Sequence, residues 1–427
     1  MRIMPCAAFA VAATLWAGTT GAQSAQYTAP GDDAGAEPVT KEEIERRMED
    51  ARWRLGPVRI APYFGVRNLA WVENVFADEE GGGASDLTAS LGAGLTAYLP
   101  TGPRLFWVAQ AMPEYVYWAD LAERRELVGR YGAGVYADLN RLTVAAAANR
   151  IEEQAEISSE EPEPALAELD RVSAEAALRL TSRLSLTAGG SLAEIANRPG
   201  DPDDPRSAAF ELLDRREERA RAGLRFATRE VVELEAGVER HETDFADAAR
   251  DLSTTGTSPY LSLGLTGNRI ELDADVVRRS FDPEPGSLLP PVETTEGTVR
   301  LGLTPGWRFE VGLYGRRSLL YSFSGLYTHF DESRYGAEVS APFGSRFSAR
   351  AFVEAGENDY GAAAGVPPRL DDALAFGAIG TYQFREWLRY DFGYRRLELD
   401  SNLPGFDRDT ESVLSTLSLT TGSWIWQ

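Results

Sequence analysis

The chain has 427 residues, of which 43% are hydrophobic and 10% aromatic, and its formal net charge is −23. The chain has a single cysteine, Cys6, which excludes a cysteine-based zinc module. Its two histidines leave little material for a histidine metal site, so we expect no metal and no cofactor. The acidic balance excludes nucleic acid as a partner, because phosphate binding needs a basic surface.

The first 25 residues have the pattern of a secretory signal peptide. Arg2 precedes an apolar run from Pro5 to Ala17, and small residues before Ala22 and Ala25 offer cleavage sites. No later stretch approaches the roughly 20 apolar residues that a membrane-spanning helix needs. The sequence therefore predicts an exported protein that is either soluble or a membrane β-barrel, whose strands give a weak hydropathy signal.

Residues 26–39 are small, polar and acidic, which predicts a linker, and residues 40–56 carry helical signals. Thr40 with Glu43 forms a capping-box pattern. A narrow apolar stripe follows at helical spacing: Ile44, Met48, Ala51 and Leu55. We expect a short periplasmic helix, which is either mostly solvated, packed on a partner or another helix, or inserted in the mouth of a barrel.

Residues 57–427 show the alternation of apolar and polar residues that is typical of β-strands. It is clearest in residues 388–395, where four apolar residues alternate with Arg389, Asp391, Gly393 and Arg395. About eighteen such segments can be delimited, an even number as expected when both chain ends lie on one side of a membrane. Sixteen is the alternative, because Pro113 or Pro259 could each interrupt a strand.

The connections between these segments alternate between two kinds. Short connections, nearly all with an arginine, are predicted at residues 100–104, 140–141, 182–183, 229–230, 267–269, 305–308, 344–346 and 384–386. Longer acidic segments lie between them at residues 77–86, 152–168, 197–218, 282–296, 357–372 and 400–409. Short turns at one rim and long loops at the other are typical of an outer-membrane barrel, whereas a soluble β-sandwich would not sort its connections by length. We therefore predict an all-β fold, a transmembrane antiparallel up-and-down barrel located in the outer membrane.

The first strand carries a narrower resemblance. Residues 59–76, RIAPYFGVRNLAWVENVF, resemble the first strand of the β-barrel porin 2 group, outer-membrane porins often associated with exopolysaccharide secretion, although that group usually has Asp where Glu73 stands. The resemblance implies passage of a hydrophilic solute, or of a polymer such as an exopolysaccharide. It also implies outer-membrane lipid, lipopolysaccharide, the barrel-insertion machinery and polysaccharide-export components as partners. Trp426, next to the C-terminus, is the aromatic residue available for recognition by the insertion machinery.

If the apolar faces of the strands meet lipid, the charged residues between them line the lumen. They are Arg130, Arg219, Arg221, Arg225, Glu233, Glu235, Glu239, Glu271, Asp273, Asp275, Arg300, Glu310, Glu338, Arg350, Glu354, Arg389, Asp391 and Arg395. One interpretation is a transport path that selects solutes by charge. The other is a structural or surface-binding barrel in which opposite charges pair and close the lumen.

A barrel-embedded hydrolase is the third alternative, and the sequence offers little for it. His241 and Asp244 are three residues apart, so on a strand they project to opposite faces. His329 lies beside Asp331 and Glu332 without a placed nucleophile. We therefore expect no catalytic residues, and we expect residues 152–168 to be a solvated surface loop, since they lack the pattern of a calcium loop.

Overall fold

A computed structural model describes residues 41–73, 85–158, 160–198, 211–228, 231–247, 251–306, 309–324, 326–361 and 365–420. The predicted signal peptide, the linker and Trp426 lie outside these residues. The helices are α1 (Lys41–Asp50) and the single-turn 3₁₀ helix η1 (Ala122–Arg124). Within the described ranges, no helix is long and apolar enough to cross a membrane.

The strands are β1 (Trp53–Leu55), β2 (Val58–Glu73), β3 (Asp86–Pro100), β4 (Leu105–Trp118), β5 (Glu126–Leu139), β6 (Leu142–Ser158), β7 (Glu161–Arg179), β8 (Leu184–Arg198), β9 (Arg215–Thr228), β10 (Val232–Phe245), β11 (Thr254–Thr266), β12 (Ile270–Pro283), β13 (Val292–Leu303), β14 (Glu310–Tyr321), β15 (His329–Phe343), β16 (Phe347–Tyr360), β17 (Arg369–Arg385), β18 (Leu388–Ser401) and β19 (Arg408–Thr420). From β2 to β19 each strand pairs antiparallel with the next, and β19 pairs with β2. The result is a closed up-and-down barrel, which confirms the prediction of eighteen strands.

The two prolines that made sixteen strands an alternative both lie inside strands. Pro113 is in β4 and pairs with Gly129 of β5, while the β3–β4 ladder omits the positions beside it. Pro259 is in β11 and pairs with Val238 of β10, while the β11–β12 ladder is interrupted next to it. Each proline thus removes local hydrogen bonds on one side of its strand but does not interrupt the strand.

The barrel wall has an apolar outer face. On neighbouring strands, Leu313, Val339 and Val353 are 43%, 44% and 49% exposed, and they alternate with residues that point inward. Large aromatic residues such as Trp107 and Phe392 belong to the same exposed outer set. A continuous apolar exterior around a charged interior is the arrangement that a lipid bilayer requires.

The barrel has two different rims, which we name by their connections. The turn rim holds short connections such as Asn140-Arg141, where Asn140 adopts a φ of 70°, a conformation that asparagine tolerates in tight hairpins. The loop rim holds the longer connections at the other ends of the strands. Helix α1 and β1 precede β2 at the turn rim.

The predicted helix over residues 40–56 is wrong at its C-terminal end. It ends at Asp50, and Trp53–Leu55 pair with Val58–Ile60 in a short hairpin whose turn contains Gly56 at a φ of 59°. Leu55 is 71% exposed and does not continue the buried stripe. The glycine-proline turn at residues 56–57 sets the end of the helical segment, because it allows the preceding residues to pair as a strand.

The predicted surface loop over residues 152–168 is also wrong. Strands β6 and β7 run on to Ser158 and Glu161, paired almost to their tip, with a single bulge between Glu156 and Ser158. The regular alternation of apolar and polar residues stops near Arg150 in the sequence. Pairing of the backbone continues without that signal.

Several glycines allow large side chains to lie flat on the inner wall, and Gly237 is among the most constrained. A Cβ at this position would fall on the carbonyl oxygen of Ala222 and 2.8 Å from the ring of Tyr260. We expect Gly237→Ala to destabilise the barrel by about 2–3 kcal/mol, the cost of overpacking against backbone. Urea-induced unfolding in lipid vesicles measures this.

The matched control is Gly302→Ala, also on a strand, where the nearest atoms would be 3.6 Å from the new Cβ. We expect that variant to unfold within about 0.5 kcal/mol of the wild-type protein. Equal loss of stability in the two variants would show that the close approach of Tyr260 and Ala222 to Gly237 is not what demands glycine there.

Candidate functional site

The structure places all eighteen predicted lumen residues on the inner face of their strands. For example, Glu271, Asp273 and Asp275 of β12 share a face with the buried residues Arg279 and Phe281. Their role in transport is not tested by this placement and stays a prediction. The contacts they make divide them into a row of arginines, several buried carboxylates and an acidic patch.

The arginine row lies on β9. Arg221 contacts Glu175 of β7 at 2.6 Å, and Arg225 contacts Glu235 and Glu233 of β10 at 2.6 and 3.1 Å. Arg219 contacts Glu217 of its own strand at 3.0 Å. Alternate residues of one strand therefore present three guanidinium groups along the axis of the lumen.

Glu235 is a buried anchor for this row. Its carboxylate accepts hydrogen bonds from the hydroxyls of Thr187 at 3.0 Å and Tyr260 at 2.7 Å, and from Arg225 Nε at 2.6 Å. The Tyr260 ring lies over Gly223 and Gly237, which have no side chains to displace it. Three donors from three other strands fix the carboxylate, so the position of Arg225 is fixed as well.

Two further carboxylates each hold a pair of arginines. Glu338 of β15 contacts Arg300 of β13 at 2.9 Å and Arg350 Nε of β16 at 2.7 Å. Glu332, also on β15, contacts Arg316 of β14 and lies 3.3 Å from Arg334. Both carboxylates are almost completely buried against the wall.

The ion pairs described on the inner face follow the wall. In the described ranges, inner-face partners on the wall come from the same strand or from strands at most two apart, as in the Arg279 contacts with Glu239 at 2.9 Å and Glu296 at 2.6 Å. In several pairs the arginine is more exposed than its carboxylate, whereas Glu239 and Glu296 are slightly more exposed than Arg279. Arg219 is 47% exposed against 14% for Glu217, and Arg300 is 27% exposed against 9% for Glu338. Around Arg219 and Arg300, solvent in the lumen therefore meets mainly guanidinium groups.

An acidic patch lies nearer the turn rim on β10, β12 and β14. Glu271 and Glu310 flank Gly302, while Asp273 and Glu233 flank Gly264. The glycines leave room between the carboxylates, so the patch has space for water or solute. The lumen thus has a basic and an acidic zone at different heights.

Helix α1 lies inside the barrel at the turn rim. Ile44 and Ala51 are 1% exposed and, with Met48, pack against the inner wall of five consecutive strands. The wall residues are Ala61, Tyr98, Phe106, Val108, Tyr136 and Ala145. Of the alternatives predicted for this helix, the structure shows insertion in the mouth of the barrel.

At the loop rim the β6–β7 hairpin crosses the mouth of the barrel. Its tip residue Glu160 accepts hydrogen bonds from Ser322 Oγ at 2.9 Å and Phe323 N at 2.7 Å, both in the β14–β15 loop, and contacts Arg369 of β17 at 3.2 Å. These partners lie on the opposite side of the ring of strands. The hairpin therefore narrows the lumen at this rim.

The two histidines lie on different strands, β10 and β15. His241 faces inward, 3% exposed, with its ring edge-on to Phe281 at 5.3 Å, whereas Asp244 points to the other face of β10. His329 contacts the Thr328 hydroxyl at 2.9 Å. The ligand atoms of Glu242, Asp244 and Glu284 lie within 4.8 Å of one another at the loop rim and form an acidic cluster.

Sequence reasoning missed several inner-face charges. Arg279 lies on the same face of β12 as Asp275, so continuing the alternation of apolar and polar residues along the strand would have identified it. Glu160 and Arg369 could not be found this way, because they lie beyond the regular alternation. The other inner-face charged residues that sequence reasoning missed include Glu153, Arg171, Glu175, Arg215, Glu217, Glu296, Arg316, Glu332 and Arg334.

No protein-family model matches the chain, and no curated protein matches it. Among solved structures, the chain is similar to Pseudomonas aeruginosa OccK2 (OpdF) in complex with glucuronate, at 12% identity and a TM-score of 0.51, over 86% of this chain and 99% of that one. It is also similar to a BenF-like porin from Pseudomonas fluorescens Pf-5, at 12% identity and a TM-score of 0.51, with the same coverage of 86% and 99%. At this identity the likeness shows the fold, a barrel of porin type.

Proposed function

We propose that this protein is an outer-membrane channel for small hydrophilic solutes that carry a negative charge. The observation that carries the proposal is the difference in exposure within the ion pairs of the lumen. Around Arg219 and Arg300 the carboxylates lie against the wall and the arginines extend into the water, so a solute meets a basic zone there although the whole chain is acidic and a separate acidic zone lies nearer the turn rim.

Three features support a membrane channel over a closed barrel. The outer face is apolar over the height of the strands, which suits the outer membrane. The ion pairs described on the inner wall join residues of the same strand or of strands at most two apart. OccK2, of the same fold, was crystallised with glucuronate, a carboxylate sugar, and glucuronate is therefore a sensible first solute to test. The turn rim with α1 is then periplasmic and the loop rim faces outward.

Export of a polysaccharide stays a prediction from the resemblance of residues 59–76. A mouth crossed by the β6–β7 hairpin favours a small solute over a polymer. Catalysis is not proposed: His241 is buried against the ring of Phe281, and the hydrogen bond between His329 and the Thr328 hydroxyl has no further group that would mark a catalytic arrangement in the described residues.

The ion preference of the purified protein in planar lipid bilayers tests the proposal. Under a salt gradient, we expect a reversal potential whose sign indicates preference for anions over cations. Addition of glucuronate should interrupt the current. Absence of any conductance would contradict the channel and favour the closed structural barrel. A cation preference would contradict the proposed solute class while leaving the channel intact.

The arginine row predicts that removing its charges lowers the preference of the channel for anions. In the variant Arg219→Gln/Arg221→Gln, we expect the ratio of anion to cation permeability to fall about three- to tenfold, because two lumen cations at this height are removed while Glu175 and Glu217 remain. The reversal potential measures this ratio. Arg216→Gln is the matched control, since Arg216 is on the same strand, 49% exposed, and points outward. An equal change in the control would contradict a role for the inner face.

A further inference from the structure

Strands β13 and β14 separate near the loop rim. Their ladder has seven pairs and ends at Gly297 and Arg317, although β13 begins at Val292 and β14 runs on to Tyr321. The upper part of β13 stays paired with β12 up to its first residue, and the upper part of β14 stays paired with β15 up to its last. The wall of the barrel therefore divides between these two strands.

Above the division, β14 lies inside the barrel. By the alternation of the strand, Leu319 and Tyr321 belong to its outer face. Leu319 is nevertheless 7% exposed and packs with the inner-face residue Phe281. The ring of Tyr321 meets that of Phe245 edge-on, with the two centroids 4.8 Å apart. The Glu296 carboxylate accepts a hydrogen bond from Leu319 N at 3.1 Å, where the ladder between β13 and β14 has ended. The outer face therefore loses the cover of two large side chains.

A groove of about 310 Å³ lies where the two strands divide. Gly297 of β13 and Gly315 of β14 line it and have no side chains to fill it. Val276 and Val299, which are 41% and 44% exposed on the outer face, line it as well. The groove therefore presents an apolar surface on the side of the wall that meets lipid. The other lining residues are Asp275, Thr295, Glu296, Arg316 and Arg317.

Two outer-face arginines lie at the upper end of this groove. Arg278 is two residues beyond a lining residue of β12, and Arg317 is two beyond a lining residue of β14, so each lies about 7 Å nearer the loop rim. Arg278 makes an ion pair with Glu293 at 3.0 Å, and its side chain stays 71% exposed. Arg317 makes one with Asp331 at 3.0 Å and stays 53% exposed. Because a guanidinium group has five N–H donors, both arginines can also donate to a phosphate.

We propose that this groove binds an acyl chain of lipopolysaccharide, with a phosphate of its lipid A part on Arg278 and Arg317. The inference rests on the orientation given for the proposed channel, in which the loop rim faces outward and the groove lies in the outer leaflet. The apolar groove suits a lipid chain, and the cationic groups lie at its end nearer the loop rim, where an outer-leaflet lipid has its headgroup. A phospholipid of the inner leaflet would have its headgroup at the opposite end.

Native mass spectrometry of the purified protein, titrated with lipid A in detergent micelles, tests the groove without any current. Gly315→Leu fills it without a steric clash, since the nearest atom to a Cβ there is the Arg334 carbonyl oxygen at 3.7 Å. We expect lipid A to bind this variant at least about tenfold more weakly, which corresponds to the loss of roughly two buried methylene groups. Ala188→Leu, at an exposed outer-face position of β8, is the matched control and should bind like the wild-type protein. Equal affinities of Gly315→Leu and the wild-type protein would overturn the proposal.

The headgroup contact has its own test, which also decides the matter if Gly315→Leu does not fold. We expect Arg278→Gln/Arg317→Gln to bind lipid A about tenfold more weakly, because charge-assisted hydrogen bonds to the phosphate are lost. Lipid A without its phosphates should not distinguish this variant from the wild-type protein. The matched control is Arg216→Gln/Arg240→Gln, which removes two exposed outer-face arginines of β9 and β10. Equal losses in the two double variants would overturn the site, because they would show a general attraction of surface cations for phosphate.

Phosphatidylglycerol distinguishes the two sources of an anionic lipid. We expect it to bind the wild-type protein more weakly than lipid A, and binding of equal strength would contradict the assignment to lipopolysaccharide. A protein that conducts anions in planar bilayers but binds no lipid A would contradict this site alone. A protein that binds lipid A at the groove but shows no conductance would contradict the channel alone.

Discussion

Replacement of Ile44 by aspartate is expected to release helix α1 from the lumen. Ile44 is 1% exposed and lies among Tyr98, Phe106 and Tyr136 of the inner wall, where a carboxylate would lose both its water and the apolar contact of the isoleucine. A cost of about 3 kcal/mol corresponds to roughly a hundredfold shift toward the undocked helix.

Trypsin measures this shift, because cleavage after Arg46 or Arg47 needs an undocked segment. We expect the variant to be cut about a hundred times faster than the wild-type protein, while the barrel itself stays folded. We also expect its single-channel conductance to rise, since a helix about 10 Å wide leaves the periplasmic mouth. The change in conductance shows whether α1 narrows the path that ions take.

Glu49→Ala is the matched control on the same helix, because Glu49 is exposed. It should leave both the cleavage rate and the conductance close to those of the wild-type protein. Fast cleavage of Ile44→Asp without any rise in conductance would mean that α1 lies beside the ion path and does not obstruct it. Slow cleavage would contradict the packing described for Ile44.

The barrel and its strand count could be predicted because the apolar belt imposes alternation on every strand. In β18, Tyr390 and Phe392 face outward and Arg389 and Asp391 face inward, and the sequence shows this directly. The tip of the β6–β7 hairpin was not predicted, because residues 152–168 are rich in glutamate and lack a regular alternation of apolar and polar residues. The end of α1 was missed because the helical spacing runs on to Leu55, although Gly56 and Pro57 let that segment pair with β2.

The inward direction of the charged residues follows from the same alternation, but their partners do not. Arg221 reaches Glu175 and Arg300 reaches Glu338 across an intervening strand, which depends on the stagger between strands and on how far an arginine extends. Glu160 and Arg369 are 209 residues apart in the chain. Their contact requires a hairpin that crosses the mouth, and no periodicity in the sequence encodes that.

Loss of the Glu332 carboxylate is expected to be the most destabilising change in the lumen wall. Glu332 is 2% exposed between Arg316 and Arg334, so Glu332→Ala leaves two neighbouring cations without their shared anion. Breaking a buried pair of this kind costs about 3–5 kcal/mol. Because Arg316 is a third exposed and can turn toward lumen water, we expect the lower part of that range, about 3 kcal/mol of unfolding free energy.

The adjacent residue supplies the control, since Asp331 makes an ion pair with Arg317 at 3.0 Å in which both side chains are substantially exposed. Asp331→Ala should cost no more than about 1 kcal/mol in the same urea unfolding measurement in lipid vesicles. Equal losses would contradict the view that burial on the inner wall makes the Glu332 pair strong. Glu332→Gln separates stability from selectivity, because the amide oxygen still accepts hydrogen bonds from the arginines but carries no charge. If Glu332→Gln unfolds near the wild-type protein and yet raises the anion preference, the wall carboxylates both support the arginines and moderate the positive potential that a solute meets.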